Sequence, residues 1–242
     1  MRLRDALASP DAKRRYVRRL FATIADRYDL ITRLLSFGRD AAWKRRLVSM
    51  AAVGPGTLAL DLACGTGDLG LALASGGGRV IGLDVTMRML EIARAKTVPP
   101  LRLALIAGDM MSLPLPDGVV DVVTTGYGIR NVPRIEPAIG EIRRVLRPGG
   151  ILLSLDFNRP RNAAVRAVYL TYLTIVGSLL GWALHRDPDT YRYIPESIAR
   201  YPGADALAGM LERAGFEDCR VVPLLGGLMA INTARARGTV RS

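Results

Sequence analysis

Apolar and polar positions follow two different periods along this chain. From residue 57 onward, short apolar runs predict β-strands at 57–63, 79–85, 101–107, 119–125 and 151–157. Helical spacing of the apolar positions between these runs predicts helices at 68–75, 86–96 and 134–147, the last ending at the turn 147–150 (RPGG). Strands that alternate with helices in this way are typical of a parallel sheet covered by helices on both faces.

This alternation is absent from the start of the chain and interrupted later. Residues 12–25 and 40–52 predict two basic amphipathic helices, with Tyr28 and a polar link at 36–38 between them. Residues 158–202 form an insertion, after which a helix at 203–215 and strands at 217–225 and 228–235 complete the sheet. We therefore expect one domain with four segments: a basic helical segment 1–52, a core 53–157, a helical insertion 158–202 and a closing segment 203–242.

The insertion contains residues 167–184, eighteen residues without a charged side chain. A membrane-spanning helix needs about 20 apolar residues, so this stretch is at the short limit, and its hydroxyl groups and glycines weaken that interpretation. A buried core helix is one alternative. The other is an amphiphilic lid that handles an apolar substrate or touches a bilayer.

Composition narrows the class of protein. A chain of 242 residues that is 50% hydrophobic can bury a substantial core. Two cysteines and a single histidine, His185, argue against a disulfide framework, a zinc site and Ser-His-Asp catalysis, and no metal is expected. The first residues contain no apolar run of the kind found in secretory signals, so we expect a cytoplasmic protein.

The positive charge is concentrated near the start of the chain. Residues 1–50 hold thirteen of the 34 Lys and Arg and five of the 22 Asp and Glu, so eight of the twelve net positive charges lie in this fifth of the sequence. Basic patches favour nucleic acid or anionic lipid. A solvated, arginine-rich surface explains the charge equally well.

The segment 61–68 (DLACGTGD) begins in the last residues of the first predicted strand and leads into a helix. Glycines at such a turn let the backbone approach a ligand closely, and helix N–H groups can receive a carboxylate. Asp84 and Asp109 end the second and third strands, where one carboxylate can accept hydrogen bonds from ribose hydroxyls and the other from an adenine amine. Each aspartate alone could be a turn or cap residue; together they predict a nucleoside site across three strand ends.

This arrangement resembles the class I S-adenosylmethionine-dependent methyltransferases, in which an acidic residue opens the first motif, as Asp61 does here, and which very commonly carry a turn like 146–150 (LRPGG). The resemblance implies a Rossmann-like fold: an α/β seven-stranded, mostly parallel sheet with helices on both faces, and S-adenosyl-L-methionine as the cofactor. The residues expected to bind it are Asp61, Gly65, Thr66, Gly67, Asp84, Val85, Asp109, Met110 and Gly126.

Within that superfamily, residues 127–132 (YGIRNV) resemble the "FGLRNV" signature of the ubiquinone/menaquinone biosynthesis C-methyltransferases. Residues 21–46, 151–160 and 191–202 (YRYIPESIARYP) resemble three other signatures of that family, so the resemblance covers about 17–236. The chain departs from the family pattern at Thr32, at Asp40-Ala41 and at Gly126, positions that affect the substrate entrance.

The resemblance implies methylation of a ring carbon of a prenylated quinol, which converts demethylmenaquinol to menaquinol or acts on the ubiquinol precursor. Arg130 could stabilise a developing phenolate or polarise a water, and Asn131 could orient that water or hold a ring oxygen. Tyr28 could hydrogen-bond a ring oxygen and close over the site. Without such roles, Arg130 would form a surface ion pair and Asn131 a turn cap.

The expected partners are the prenylated quinol and an anionic membrane surface, which places the protein in the cytoplasm or at the inner face of the cell membrane. The sequence leaves a homodimer open. No nucleic acid is expected, because the basic segment lacks interleaved aromatic residues. Another phenolic or polyketide acceptor, RNA methylation and a non-catalytic cofactor-binding scaffold are the alternatives.

Overall fold

A computed structural model describes residues 9–238; the first eight residues of the predicted segment 1–52 and the last four of 203–242 lie outside it. Seven strands form one sheet in the order β3-β2-β1-β4-β5-β7-β6, and only β7 runs antiparallel to its neighbours. The strands are β1 Leu58–Leu62, β2 Arg79–Asp84, β3 Leu103–Ala107, β4 Val120–Gly126, β5 Leu146–Phe157, β6 Phe216–Leu224 and β7 Met229–Ala236. The predicted mostly parallel α/β sheet is confirmed.

Nine α-helices surround this sheet in the described part of the chain. They are α1 Pro10–Ile24, α2 Tyr28–Leu35, α3 Asp40–Ala51, α4 Asp68–Ser75, α5 Met87–Lys96, α6 Ile135–Val145, α7 Ala163–His185, α8 Tyr193–Arg200 and α9 Ala204–Arg213. Local sequence explains where two of them begin: the Ser9 hydroxyl accepts a hydrogen bond from the Ala12 amide, and Asn162 caps the amides of Ala164 and Val165.

Two apolar layers sandwich the central strands. On one face, Ile139 and Ile142 of α6 and Leu211 of α9 pack against the sheet. On the other face, Leu47 of α3 and Leu73 of α4 do the same, and both are fully buried. Burial of one such leucine contributes about 1.5–3 kcal/mol, so these layers fix the strand ends that carry the site.

A third cluster holds the N-terminal helices against the insertion. Ile24 of α1 and Ile31 and Leu35 of α2 are buried together with Tyr169 and Leu173 of α7. Two N-terminal helices were predicted, at 12–25 and 40–52, and the structure adds a third, α2, between them. The apolar residues spaced four apart form α2 because α7, distant in sequence, supplies the surface that buries them.

The boundary between α6 and β5 also differs from the prediction. The helix ends at Val145 rather than at residue 147, and Leu146 already pairs with Val120 of β4. The register then shifts before Ile151, where the regular ladder resumes. Gly149, with φ +77°, makes this irregularity possible, since the left-handed region favours glycine. The turn residues are therefore part of an interrupted strand.

The insertion folds into α7 and α8. Only 22% of the most apolar window of α7 is buried, and its mean hydropathy is 1.6, so by length and composition it is able to cross a membrane. In this structure one side of α7 packs against the third cluster through Tyr169 and Leu173. The other side exposes apolar residues to solvent, namely Val165, Val168, Ile175, Leu179 and Trp182.

Candidate active site

Three adjoining cavities lie at the carboxyl ends of the strands. The strand-end cleft is lined by residues that include Asp84, Val85, Asp109 and Met110. The inner pocket is lined by residues that include Lys44, Asp61, Thr66 and Asp68. The aromatic cavity is lined by residues that include Arg130, Phe157, Tyr169, Tyr191 and Tyr193.

The carboxylate of Asp84 organises the strand-end cleft. It accepts hydrogen bonds from the amides of Gly65 (2.9 Å) and Thr86 (2.8 Å), so the end of β2 is tied to the loop that follows β1. Burial raises the pKa of Asp84, although these two amides favour its ionised form. Its carboxylate oxygens also have lone pairs available to a ligand hydroxyl in the cleft.

The far end of this cleft is formed by Asp109, beyond the end of β3. Its carboxylate accepts a hydrogen bond from the Met111 amide (2.9 Å) and forms an ion pair with Arg14 of α1 (2.7 Å). Arg14, Val17 and Phe21 line the same cleft, so α1 covers it. The sequence analysis missed this contribution, because nothing in a basic amphipathic pattern indicates which surface its apolar side will contact.

Two glycines leave space that a side chain would fill. A Cβ on Gly126 would lie 2.9 Å from the Leu69 Cδ1, and Gly126 lines the strand-end cleft. Gly67, with φ +88°, would place a Cβ 3.0 Å from that of Ala93 on α5. Gly67 is absent from the described lining of all three cavities. Its local role is the turn into α4 and the close approach of α4 to α5.

In the inner pocket, Asp61 is fully buried and accepts a hydrogen bond from the Thr124 hydroxyl (2.8 Å). Burial raises the pKa of Asp61 to about 7, against the effect of that hydroxyl. The Thr66 hydroxyl donates to Asp29 of α2 (2.6 Å), which also pairs with Lys96 (2.6 Å). The glycine loop is therefore fastened to the helices that cover it.

Arg130 is held in the aromatic cavity by a buried ion pair. Its guanidinium lies 2.5 Å from Asp156 at the end of β5, donates to the Tyr127 carbonyl (3.0 Å) and to Ser197 (3.3 Å), and stacks 4.7 Å from the centre of the Phe157 ring. Burial by itself would lower the pKa of Arg130, but the carboxylate of Asp156 raises it. Arg130 is thus a fixed positive charge in an apolar site, and the alternative of a surface ion pair is wrong.

Sequence reasoning missed Asp156, whose signal was a carboxylate in the otherwise apolar run 151–157.

Asn131 faces the strand-end cleft rather than the aromatic cavity. Its amide donates to the Tyr127 carbonyl (2.7 Å), which leaves its buried Oδ1 without a hydrogen-bond partner among residues 9–238. Lys13 of α1 donates to the carbonyls of Arg130 (3.0 Å) and Val132 (2.6 Å), so α1 fixes the turn that carries both predicted catalytic residues.

Tyr28 lies where the three cavities meet, since it lines all of them. Burial raises its pKa, so the phenol stays protonated and can donate a hydrogen bond. Phe21 and Tyr127 also line both the strand-end cleft and the aromatic cavity. His185 lies outside these linings and hydrogen-bonds the Tyr191 hydroxyl (2.8 Å), which agrees with a structural role.

These residues fit a nucleoside that carries a charged tail. Asp84 and Asp109 supply hydrogen-bond acceptors at two strand ends, and apolar Leu83, Val85 and Met110 lie between them in the cleft lining. Asp61 adds a buried carboxylate oxygen without a hydrogen-bond partner in the described part of the chain. A cationic or hydrogen-bond-donating ligand group would satisfy that oxygen.

Two solved structures with a similar fold are described as methyltransferases. A protein of Thermotoga maritima described as an S-adenosylmethionine-dependent methyltransferase, possibly a histamine N-methyltransferase, has a TM-score of 0.67 at 20% identity, over 91% of this chain and 100% of its own. A putative methyltransferase of Haloferax volcanii, solved with its activator, has a TM-score of 0.65 at 18% identity, over 90% of this chain and 97% of its own. At these identities the likeness concerns the fold.

Relatives with similar sequences identify a narrower family. A demethylmenaquinone methyltransferase of Thermus thermophilus is 43% identical over 216 residues, which cover 88% of this chain and 98% of the relative. A demethylmenaquinone methyltransferase of Staphylococcus aureus is 34% identical over 229 residues, which cover 93% of this chain and 95% of the relative. The model of the ubiE/COQ5 methyltransferase family matches residues 9–236. This chain therefore belongs to the ubiE/COQ5 methyltransferase family and is an S-adenosyl-L-methionine-dependent methyltransferase.

Proposed function

We propose that this enzyme methylates a ring carbon of a prenylated quinol and converts demethylmenaquinol to menaquinol. The observation that carries the proposal is the aromatic cavity, which contains one buried arginine and shares Phe21, Tyr28 and Tyr127 with the strand-end cleft. An aromatic acceptor in this cavity would lie next to the cofactor. The relatives from Thermus thermophilus and Staphylococcus aureus are named for the same reaction.

The cavity suits a flat, weakly polar ring. Its described lining is dominated by aromatic and aliphatic side chains, and Arg130 is the only lysine or arginine in it. Residues of α1, α2 and α8 cover the cavity, so water is excluded from the acceptor once it is bound. Aromatic walls and a single fixed charge would orient a quinol ring by one of its oxygens.

S-adenosylmethionine supplies an electrophilic methyl group on a sulfonium. A ring carbon of the quinol would become nucleophilic as a neighbouring phenol loses its proton to a water. Arg130 stabilises the resulting negative charge, because Asp156 and Ser197 hold its guanidinium in place before the substrate arrives. As the ring carbon bonds to the methyl group, the bond from that methyl to sulfur would break and S-adenosylhomocysteine would leave; the carbon's own proton would then pass to water, which restores the aromatic ring, and the phenol would be reprotonated. Arg130 remains protonated and cannot itself accept the proton.

Tyr28 donates a hydrogen bond to a ring oxygen where the three cavities meet. Asn131, which lines the strand-end cleft, orients a water or holds a ring oxygen from the side of the cofactor.

The cofactor would extend across two cavities, the strand-end cleft and the inner pocket. Its nucleoside occupies the strand-end cleft, where Asp84, Val85, Asp109, Met110 and Gly126 form the lining. Its amino-acid end extends past Gly65 toward Asp61 and Thr66 in the inner pocket, whose lining also includes Gly65 and Gly126. Gly67 acts through the shape of the loop, since it lines neither cavity.

A prenyl tail needs an apolar path out of the aromatic cavity, and α7 offers one. Phe37 lines the cavity, is 63% exposed and stacks on Tyr172 of α7 at 5.3 Å. The exposed apolar side of α7 continues from this point and ends at Trp182, which is 68% exposed. We infer that this side lies on the membrane that holds the quinol and that α7 is a surface helix.

The enzyme would then be cytoplasmic and peripheral at the inner face of the cell membrane, with the basic residues of α1 near anionic headgroups. Arg15, Arg18 and Arg19 are exposed on α1 and suit this arrangement. Flotation with anionic vesicles tests it. Leu179→Glu should abolish vesicle binding, whereas Val98→Glu, at an exposed apolar residue distant in sequence (59%), should leave it unchanged. Equal behaviour of the two variants would contradict the α7 surface.

The decisive experiment supplies the purified enzyme with methyl-labelled S-adenosylmethionine and two reduced acceptors in detergent, demethylmenaquinone and the demethylated ubiquinone precursor. Mass spectrometry then locates the label. Label on the naphthoquinol ring alone is the expected result, and label on both rings would extend the activity to ubiquinone. If the cofactor binds and neither quinol is labelled, the quinol assignment fails, and another phenolic acceptor takes its place.

A further inference from the structure

The tyrosines that line the aromatic cavity differ in what their hydroxyl groups contact. These tyrosines are Tyr28, Tyr127, Tyr169, Tyr191 and Tyr193. The Tyr127 hydroxyl donates to Asp40 (2.6 Å), and the Tyr191 hydroxyl hydrogen-bonds His185 (2.8 Å). The Tyr193 hydroxyl is buried and has no hydrogen-bond partner among residues 9–238. Leaving a buried hydroxyl unpaired is unfavourable, which indicates that a ligand group completes this part of the cavity.

Helix α8 holds Tyr193 beside Arg130. Tyr193 is the first residue of α8, is 1% exposed, and has its ring 5.6 Å from the ring of Tyr16 on α1. One turn further along α8, Ser197 accepts a hydrogen bond from the Arg130 Nε (3.3 Å). Burial raises the pKa of Tyr193, against the effect of the nearby Arg130 charge. The phenol therefore stays protonated in the same part of the cavity as the guanidinium.

Arg130 also has donors that the described part of the chain leaves available. Its Nε donates to Ser197, and its Nη1 donates to Asp156 and to the Tyr127 carbonyl. Among residues 9–238 these bonds use Nε and Nη1, so the N–H groups of Nη2 remain for a ligand. The protein thus fixes the guanidinium in place without using all of its hydrogen-bonding capacity.

We propose that Tyr193 is a further catalytic residue, whose hydroxyl donates a hydrogen bond to the quinol oxygen on which Arg130 stabilises negative charge. This inference rests on the proposed function, which supplies that oxygen. Hydrogen bonds to a charged acceptor are stronger than those between neutral groups, and both donors are in place before the charge develops. Tyr193 keeps its own proton throughout, so the proton of the quinol passes to water.

Binding of 1-naphthol tests this contact without turnover. Its ionised form absorbs at longer wavelength than its neutral form, so absorbance in the presence of S-adenosylhomocysteine reports the ionisation of the bound ligand. Naphthalene has the same rings without the oxygen, and calorimetry gives its affinity. The wild type should bind the ionised naphthol in preference to the neutral one. Tyr193→Phe should weaken the ionised form roughly tenfold or more, and naphthalene by less than about twofold.

Tyr16→Phe is the matched control, because it removes the hydroxyl of a tyrosine that packs on Tyr193 but lines none of the three cavities. It should change both affinities by less than about twofold, since neither ligand reaches that hydroxyl. The inference is overturned if the wild type shows no preference for the ionised naphthol. It is also overturned if Tyr193→Phe leaves the affinity for the ionised form unchanged, or weakens naphthalene equally.

Stability of the free enzyme gives a second check. Tyr193→Phe keeps the ring packing and removes only an unpaired buried hydroxyl, so the urea midpoint should stay the same or rise. A lower midpoint, or a variant that does not fold, would show that the hydroxyl has a structural partner and would overturn the inference.

The methylation assay separates this inference from the proposed function. With demethylmenaquinol, Tyr193→Phe should lower kcat roughly tenfold or more, while the KM for S-adenosylmethionine changes by less than about twofold. The pH at which kcat reaches its plateau should rise, because the bound quinol then loses its proton less readily. An unchanged kcat and pH profile would overturn the role of Tyr193. A wild type that labels no quinol would contradict the proposed function, and the naphthol titration would still decide the contact.

Discussion

The buried pair of Arg130 and Asp156 should be far more important for stability than an exposed pair of similar geometry. Their side chains are 5% and 4% exposed. Among residues 9–238, Asp156 is the only acidic partner of the buried Arg130 guanidinium, and Asp156→Ala removes it. Loss of one partner of a buried pair costs about 3–5 kcal/mol. Arg161 and Asp205 form a pair at 2.7 Å with exposures of 86% and 59%, so Asp205→Ala should cost about 1 kcal/mol or less.

Urea unfolding at neutral pH measures both free energies from the transition midpoint and the slope. The double variant Arg130→Met/Asp156→Leu should be more stable than Asp156→Ala, since it leaves no unpaired charge in the apolar cavity. The reasoning is refuted if Asp156→Ala and Asp205→Ala lower the free energy of unfolding by similar amounts. It is also refuted if the double variant is the least stable of the set.

Three further predictions concern the cofactor site and α1. Because burial raises the pKa of Asp61 to about 7, its ionised form increases as the pH rises through 7. Affinity for S-adenosylhomocysteine should therefore increase by calorimetry from about pH 6 to 7.5, and Asp61→Asn should flatten this profile. The same raised pKa affects folding. The contribution of Asp61 to the free energy of unfolding is fully present below the pKa that Asp61 has in the unfolded chain, and it is lost as the pH rises toward 7. The free energy of unfolding in urea should therefore decline less over that pH range for Asp61→Asn than for the wild type.

Gly128→Ala would press its Cβ onto the Thr125 hydroxyl and should lower the unfolding free energy by about 1–3 kcal/mol; an unchanged urea midpoint would contradict this close packing. Lys13→Met removes both hydrogen bonds to the Arg130 turn and should speed amide exchange in α1 while the strands stay protected; uniform exchange rates would contradict it.

The sequence by itself determined the sheet and indicated most of the polar residues that line the cavities at its edge. Apolar runs with a strand period are buried as strands. Parallel strands place Asp61, Asp84 and Asp109 near the same edge because each lies at, or just before or after, the carboxyl end of a strand. The motif 127–132 likewise identified a charged residue where an apolar strand ends. These conclusions depend on local order along the chain, which the sequence contains directly.

Tertiary structure alone decided what surrounds those residues. Asp156 and Ser197 lie 26 and 67 positions from Arg130, and no local pattern pairs them with it. The helical state of 28–35 depends on burial against α7, and the cover over the cleft depends on where α1 packs. Lys44 appears in sequence as one more base in a basic helix. Only the fold directs the Lys44 side chain into the inner pocket, because the burial and the charged surroundings of a residue depend on neighbours that are brought together in space.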